Sequence, residues 1–92
     1  MGNYKKISIK KHHEMSEELL KNLSGFIFDG IYIKRESSQA RGILFFIGKT
    51  KGRLYGFVKE ELDLISNFCE KHNLTYELST ESKLIIRSEK KL

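Results

Sequence analysis

Hydrophobic positions recur along this chain with two periods, of about two and about 3.6 residues, and the switches between them mark its elements. Tyr4–Lys10 alternates, with Tyr4, Lys6, Ser8 and Lys10 against Lys5, Ile7 and Ile9. That pattern predicts a first strand, its lysines suited to a sheet edge. After His12-His13-Glu14 the spacing predicts a helix from an N-cap at Ser16, with Glu17 and Glu18 in its first turn. Met15 and Leu20 stand where a hydrophobic staple would, Leu19, Leu20 and Leu23 supply its apolar stripe, and Gly25 marks its end.

Phe26–Arg35 reads as one long strand bent by a bulge at Gly30, with a tight hairpin at Asp29-Gly30 as the second choice. Glu36–Ala40 is a polar turn. The runs Ile43–Ile47 and Leu54–Val58, rich in β-branched and aromatic residues, flank Gly48-Lys-Thr-Lys-Gly52 and predict a central β-hairpin with a basic tip. Lys59–Asn73 carries the clearest helical periodicity, with Val58, Leu62, Ile65 and Cys69 in register and Phe68 widening the stripe. Acids stand near its start, Lys71 and His72 near its end, and Asn73 suits a left-handed cap. Leu74–Leu78 and Leu84–Arg87 form a closing hairpin around Ser79–Lys83, and the last five residues are expected to fray.

The predicted order is β-α-β-β-β-α-β-β. Its economical packing is an α+β two-layer sandwich, a mainly antiparallel sheet with two helices on one face, a variant of the ferredoxin-like plan. Residues 1–92 suffice for a single domain with one core. No internal repeat or low-complexity segment interrupts it.

Composition narrows the class. With 39% hydrophobic and 32% charged residues the chain is expected to fold, and with no proline it carries no rigid linker. No apolar run nears the roughly 20 residues of a membrane span, and no signal-peptide core follows the basic start. Lys6 stands where a myristoylation motif at Gly2 would need Ser or Thr. The lone Cys69 excludes an internal disulfide, and together these features predict a soluble, cytoplasmic protein.

The formal charge of +5 is unevenly distributed. Residues 1–13 hold four lysines and no acid, Arg41–Arg53 hold four cations and no acid, and the acids gather in 14–18, 60–70 and 77–81. Segregation of this kind favours acidic partners, although solubility alone also selects lysine-rich surfaces. The candidate binding residues are therefore Lys49, Lys51 and Arg53 at the hairpin, with Tyr55 beside them, aided by Lys5, Lys6, Lys10, Lys11, Lys34 and Arg41.

Other chemistry is weaker. Gly48-Lys49-Thr50 has Ile43 where a phosphate-binding P-loop needs glycine, and Leu44–Ile47 are too bulky for it. Arg53-Leu-Tyr55-Gly56-Phe57-Val58 resembles the RNP1 stretch of RNA-recognition motifs, which implies Tyr55 and Phe57 stacking on bases beside Arg53. Leu54 replaces the motif's glycine, Glu60 its last aromatic, and no RNP2-like strand precedes it, so core packing of Tyr55 and Phe57 is the preferred reading. Cys69 and His72 could form half a zinc site, but no second cysteine completes it. A histidine pair from His12, His13 and His72, with Lys49 or Arg53 beside it, could in principle serve acid–base catalysis, yet nothing brings these residues together.

The expected function is a small non-catalytic binding module, without metal or cofactor, that engages RNA, DNA or a nucleoprotein complex through the basic hairpin. The alternative is a protein-binding inhibitor or adaptor of the phage or mobile-element type, acting on one cellular protein through a sheet edge. Self-association as a homodimer through a sheet edge or face is compatible with both.

Overall fold

A computed structural model describes residues 3–50 and 56–91. The expected class holds: a small α+β domain with a four-stranded antiparallel sheet and two α-helices on one face. The elements are α1 (Ile9–Asn22), β1 (Ile31–Arg35), β2 (Ile43–Lys49), α2 (Lys59–His72), β3 (Thr75–Thr80) and β4 (Lys83–Arg87), with short 3-10 turns at Ser24–Asp29 and Ala40–Gly42. The sheet order is β1-β2-β4-β3. Each helix is followed by two strands, so the chain is two α-β-β units whose second strands meet at the sheet's centre.

Cross-strand pairs fix the faces, because residues directly opposite one another share a side. Ile33, Ile47 and Leu84 lie in one row, and Phe45 and Ile86 in the next. These positions face the helices, where Met15, Leu19 and Leu23 from α1 and its C-cap meet Ile65, Phe68 and Cys69 from α2 to form the core. Four rings run through it: His12 on Phe45 at 5.0 Å, Phe45 on Phe68 at 6.3 Å, and Phe68 on His72 at 4.7 Å between centroids.

Several elements differ from the sequence reading. The predicted first strand does not form: residues 5–8 are irregular, and α1 begins at Ile9 behind Ser8, whose Oγ accepts the Lys11 N–H at 3.2 Å. His12, Met15, Leu19 and Leu23 then fall on one buried stripe, a better helical face than any starting at Ser16. Leu20 points away and is exposed, so there is no Met15–Leu20 staple. Only Tyr4 keeps strand character, as an isolated antiparallel bridge to Lys90.

Residues 88–91, expected to fray, make backbone contacts beside that bridge. Lys5 N–H donates to Glu89 O at 3.0 Å, Lys91 N–H to Asn3 O at 2.6 Å, and Ser88 N–H to Gly42 O at 2.8 Å. The Gln39 side chain secures the N-terminal segment ahead of α1, accepting Ile7 N–H at 2.8 Å and donating to Ile7 O at 2.7 Å.

The long strand at Phe26–Arg35 is halved. Ser24–Asp29 winds into a 3-10 turn, and Gly30, at φ 88°, closes it in the left-handed region that favours glycine. β1 begins only afterwards.

The central hairpin is also corrected. β2 is the predicted strand, extended to Lys49, but it pairs with β1 and β4. Gly56–Val58 is not strand, and Leu54 lies outside the described residues. α2 and the closing hairpin match expectation closely, including Asn73 at φ 57° as the left-handed cap.

Candidate binding surface

β2 ends at Gly48-Lys49, and the direction of its last side chain places one residue of the predicted site. Ile31 and Lys49 are opposite one another on the helix-facing side. Lys49 therefore points inward, where its Nζ meets Glu61 Oε1 at 3.1 Å, with only 6% and 0% of the two side chains exposed. The same Glu61 oxygen accepts the Val58 N–H at 2.9 Å, tying the first turn of α2 to the end of β2. A charge committed to a buried pair is not available to a partner, so Lys49 is a structural cation rather than the focus of a binding tip.

Of the other predicted residues, Lys51, Arg53 and Tyr55 lie outside the described residues. Phe57 is half-buried against the core, as the packing reading of that stretch anticipated, but it belongs to no strand. Lys10 and Lys11 are exposed on α1, away from the sheet face. Lys5, Lys6 and Arg41 gather with Tyr4 around a groove of about 260 Å³, where Lys5 also pairs with Glu89 at 3.1 Å. Lys34 stands on β1 on the side of the sheet opposite the helices.

That open face holds residues the sequence reading did not assemble. Tyr32 lies opposite Gly48, which is opposite Lys83; Lys34 lies opposite Phe46, which is opposite Ile85. Tyr32, Lys34, Phe46, Ser79, Lys83 and Ile85 line a shallow groove of about 300 Å³. No carboxylate is among its lining residues. Beside the groove, Glu77 stands opposite Ile85 and pairs with Arg87 across β3 and β4, and Lys90 lies 5.9 Å from the Tyr4 ring centroid. The signal was the alternation Tyr32, Lys34 in β1 and Phe46, Gly48 in β2, but it becomes a surface only once β1 and β2 are known to pair.

Charge is layered accordingly. The strands carry Lys34, Arg35, Lys49, Lys83 and Arg87 against Glu77 alone, whereas acids outnumber cations seven to five on the two helices.

The buried and partly buried titratable groups hold structural contacts. His12 Nε2 lies 3.0 Å from Leu44 O in the core. Burial pulls its pKa below the ordinary value; the Leu44 bond opposes this, and Arg35 and His13 add to it. Glu18 bonds Lys71 Nζ and His72 Nε2, each at 3.1 Å. Its burial works to raise the carboxyl pKa, but the bonds to Lys71 and His72 outweigh it, and the net direction is down. Burial pushes the Cys69 thiol up to about 12. Among the described residues no three His, Cys, Asp or Glu side chains come together as a metal site would require, and no helix is long and apolar enough to cross a membrane.

Comparison with protein families, characterised proteins and solved structures yields no match to this chain.

Proposed function

We propose that this protein is a small non-catalytic binding module that presents its cationic sheet layer to an acidic partner: RNA, DNA or a nucleoprotein complex. The supporting observation is the pair of exposed lysines, Lys34 and Lys83, that flank Tyr32 and Phe46 in a groove whose lining, among the described residues, includes no carboxylate. A low-relief cationic face attracts a polyanion over its whole length and holds it through several weak contacts. The engagement of His12, His72, Glu18 and Cys69 in packing supports a non-catalytic role. A reduced, buried Cys69 suits action in the cytoplasm.

The test is affinity capture from lysate, with and without nuclease, at low and moderate salt, using the native chain and a Lys34→Glu/Lys83→Glu variant. Nucleic acid or an acidic complex that co-purifies, weakens with salt and is lost in the variant supports the reading. Capture unchanged by the charge reversal overturns it.

One observation favours a second reading, a protein-binding inhibitor or adaptor. β3 is an outer strand with all six residues exposed, Tyr76 by 39% and Leu78 by 53%, and it carries no lysine or proline to deter pairing. A partner could add a strand there. A single protein retained after nuclease and salt, and lost on Leu78→Lys, would select this reading over the first.

A further inference from the structure

Gly48 explains the posture of Tyr32. A Cβ built on Gly48 would overlap the Tyr32 ring, so the ring occupies the space a side chain would fill on the neighbouring strand. The phenol end of the ring lies over the glycine, while 41% of the residue remains exposed. Aromatic cover of a cross-strand glycine fixes a ring without closing it off. Phe46, two residues before Gly48, is its diagonal neighbour across β1 and β2, at the roughly 7–8 Å such pairs keep. Lys34 lies beside Phe46 on the β1 side, and Lys83 beyond Gly48 on the β4 side. Two rings on a diagonal, with one ammonium on each flank, form a pattern that ordinary solubility does not require.

We infer that this groove binds an unpaired polynucleotide strand, Tyr32 and Phe46 each stacking on one base while Lys34 and Lys83 contact its phosphates. The inference rests on the acidic-partner reading and names the ligand of that surface. Every base has a π-face, so stacking combined with a cationic track suits a single strand and tolerates its sequence. A duplex keeps its bases paired and stacked inside, where a ring lying against a shallow sheet cannot reach them. Ring faces and ammonium groups read neither the sugar nor the base edges, so RNA and DNA strands bind alike.

Anisotropy titrations of labelled oligo(U) and oligo(dT) of roughly 12 nucleotides, and of a duplex of equal length, test this. Both single strands should bind, and the duplex should bind at least about tenfold more weakly. Tyr32→Leu and Phe46→Leu should each weaken single-strand binding by about five- to 150-fold without changing its salt slope, whereas Tyr32→Phe should bind like the native chain. Lys34→Gln with Lys83→Gln should reduce the log–log salt slope by about 1.4. Far-UV circular dichroism and urea midpoints confirm that each variant is folded.

If the lysine variants weaken binding but the leucine variants do not, or if duplex binds as tightly as single strands, the stacking site is overturned and the acidic-partner reading survives. If neither strand binds, while capture from lysate returns an acidic protein in a Lys34- and Lys83-dependent way, the polynucleotide is likewise overturned and the broader reading stands.

Discussion

Lys49 shows how a residue's chemistry can be legible while its role is not. Its charge and its place after an apolar run suggested an exposed tip. The side chain's direction, however, depends on strand parity relative to β1, and only the register with Ile31 fixes that. Glu61 gave as little warning, because an acid in the first turn of a helix is ordinarily a solvated partner of the helix dipole. In the fold it is fully buried, one oxygen shared by Lys49 and Val58 and the other without a hydrogen-bond partner among the described residues. Removing one member of a buried ion pair leaves an uncompensated charge, which costs about 3–5 kcal/mol. Lys49→Met should therefore lower the unfolding free energy by about that amount. Lys49→Met combined with Glu61→Leu should recover much of the loss, because no buried charge remains, although the Val58 N–H loses its acceptor. Urea denaturation of the two single variants and the double variant measures this directly. A Lys49→Met protein as stable as the native one would mean that the pair is not buried in solution. At Cys69, a thiol raised to about 12 and shielded in the core should resist alkylation at mildly basic pH in the folded protein and react once urea unfolds it.

At the scale of elements, α2 and the β3–β4 hairpin were readable because local signals agree. The apolar positions are periodic, a left-handed Asn ends the helix, and the polar stretch Ser79–Lys83 separates the two strand patterns. α1 was misread because Ile7 and Ile9 alternate like a strand while the residues that bury its face, His12 and Met15, do not look like a stripe until His12 is counted as a core residue. Phe26–Phe28 looked like strand for the same reason. Its β-propensity is high, but Gly30 ends a 3-10 turn and leaves Phe28 89% exposed. Counting His12 as core makes α1 sensitive to pH. Its folded pKa lies below the ordinary imidazole value of about 6.5, so the unfolded chain takes up the proton first. The contribution of His12 to stability is fully present above about pH 6.5 and falls as the pH drops from there through the depressed folded value. His12→Gln should remove this part of the slope. A comparison of urea midpoints for the two proteins at about pH 7.5 and 5 isolates it. Equal slopes would show that His12 titrates normally. Gln39 is the complementary case. It holds Ile7 by two bonds ahead of α1, and Gln39→Ala should cost about 1–3 kcal/mol, read from the same denaturation curves.

At the scale of the whole molecule, the duplication of α-β-β units was invisible in the residues, because the two halves share no sequence pattern and the missing first strand hid the parallel order. It has a structural consequence that can be tested. β2 and β4 meet antiparallel at the centre, each flanked by the first strand of its own unit, so each half contributes one helix and one outer strand. The connection between the halves, from Thr50 to Gly56, is covalent only once, whereas the halves are joined non-covalently by the β2–β4 ladder, the shared core and the Lys49–Glu61 pair. Residues 3–4 and 90–91 are already adjacent, since Lys91 N–H donates to Asn3 O and Tyr4 bridges Lys90. A circular permutant that joins the native ends with a short glycine–serine linker and opens the chain between Thr50 and Gly56 should therefore keep the same sheet order. Loop entropy changes only slowly with length, about 0.6 kcal/mol per doubling, so exchanging one inter-unit connection for another is a small perturbation. The expected result is a cooperative urea transition with the native m-value, and retention of any polynucleotide binding, because the groove between β1, β2 and β4 is left intact. Loss of cooperative unfolding would show that the Thr50–Gly56 connection directs assembly of the two halves. In the permutant Lys49 and Glu61 would lie near opposite ends of the chain. Lys49→Met should then be at least as damaging as in the native order, because the buried pair would hold together ends that no peptide bond any longer joins.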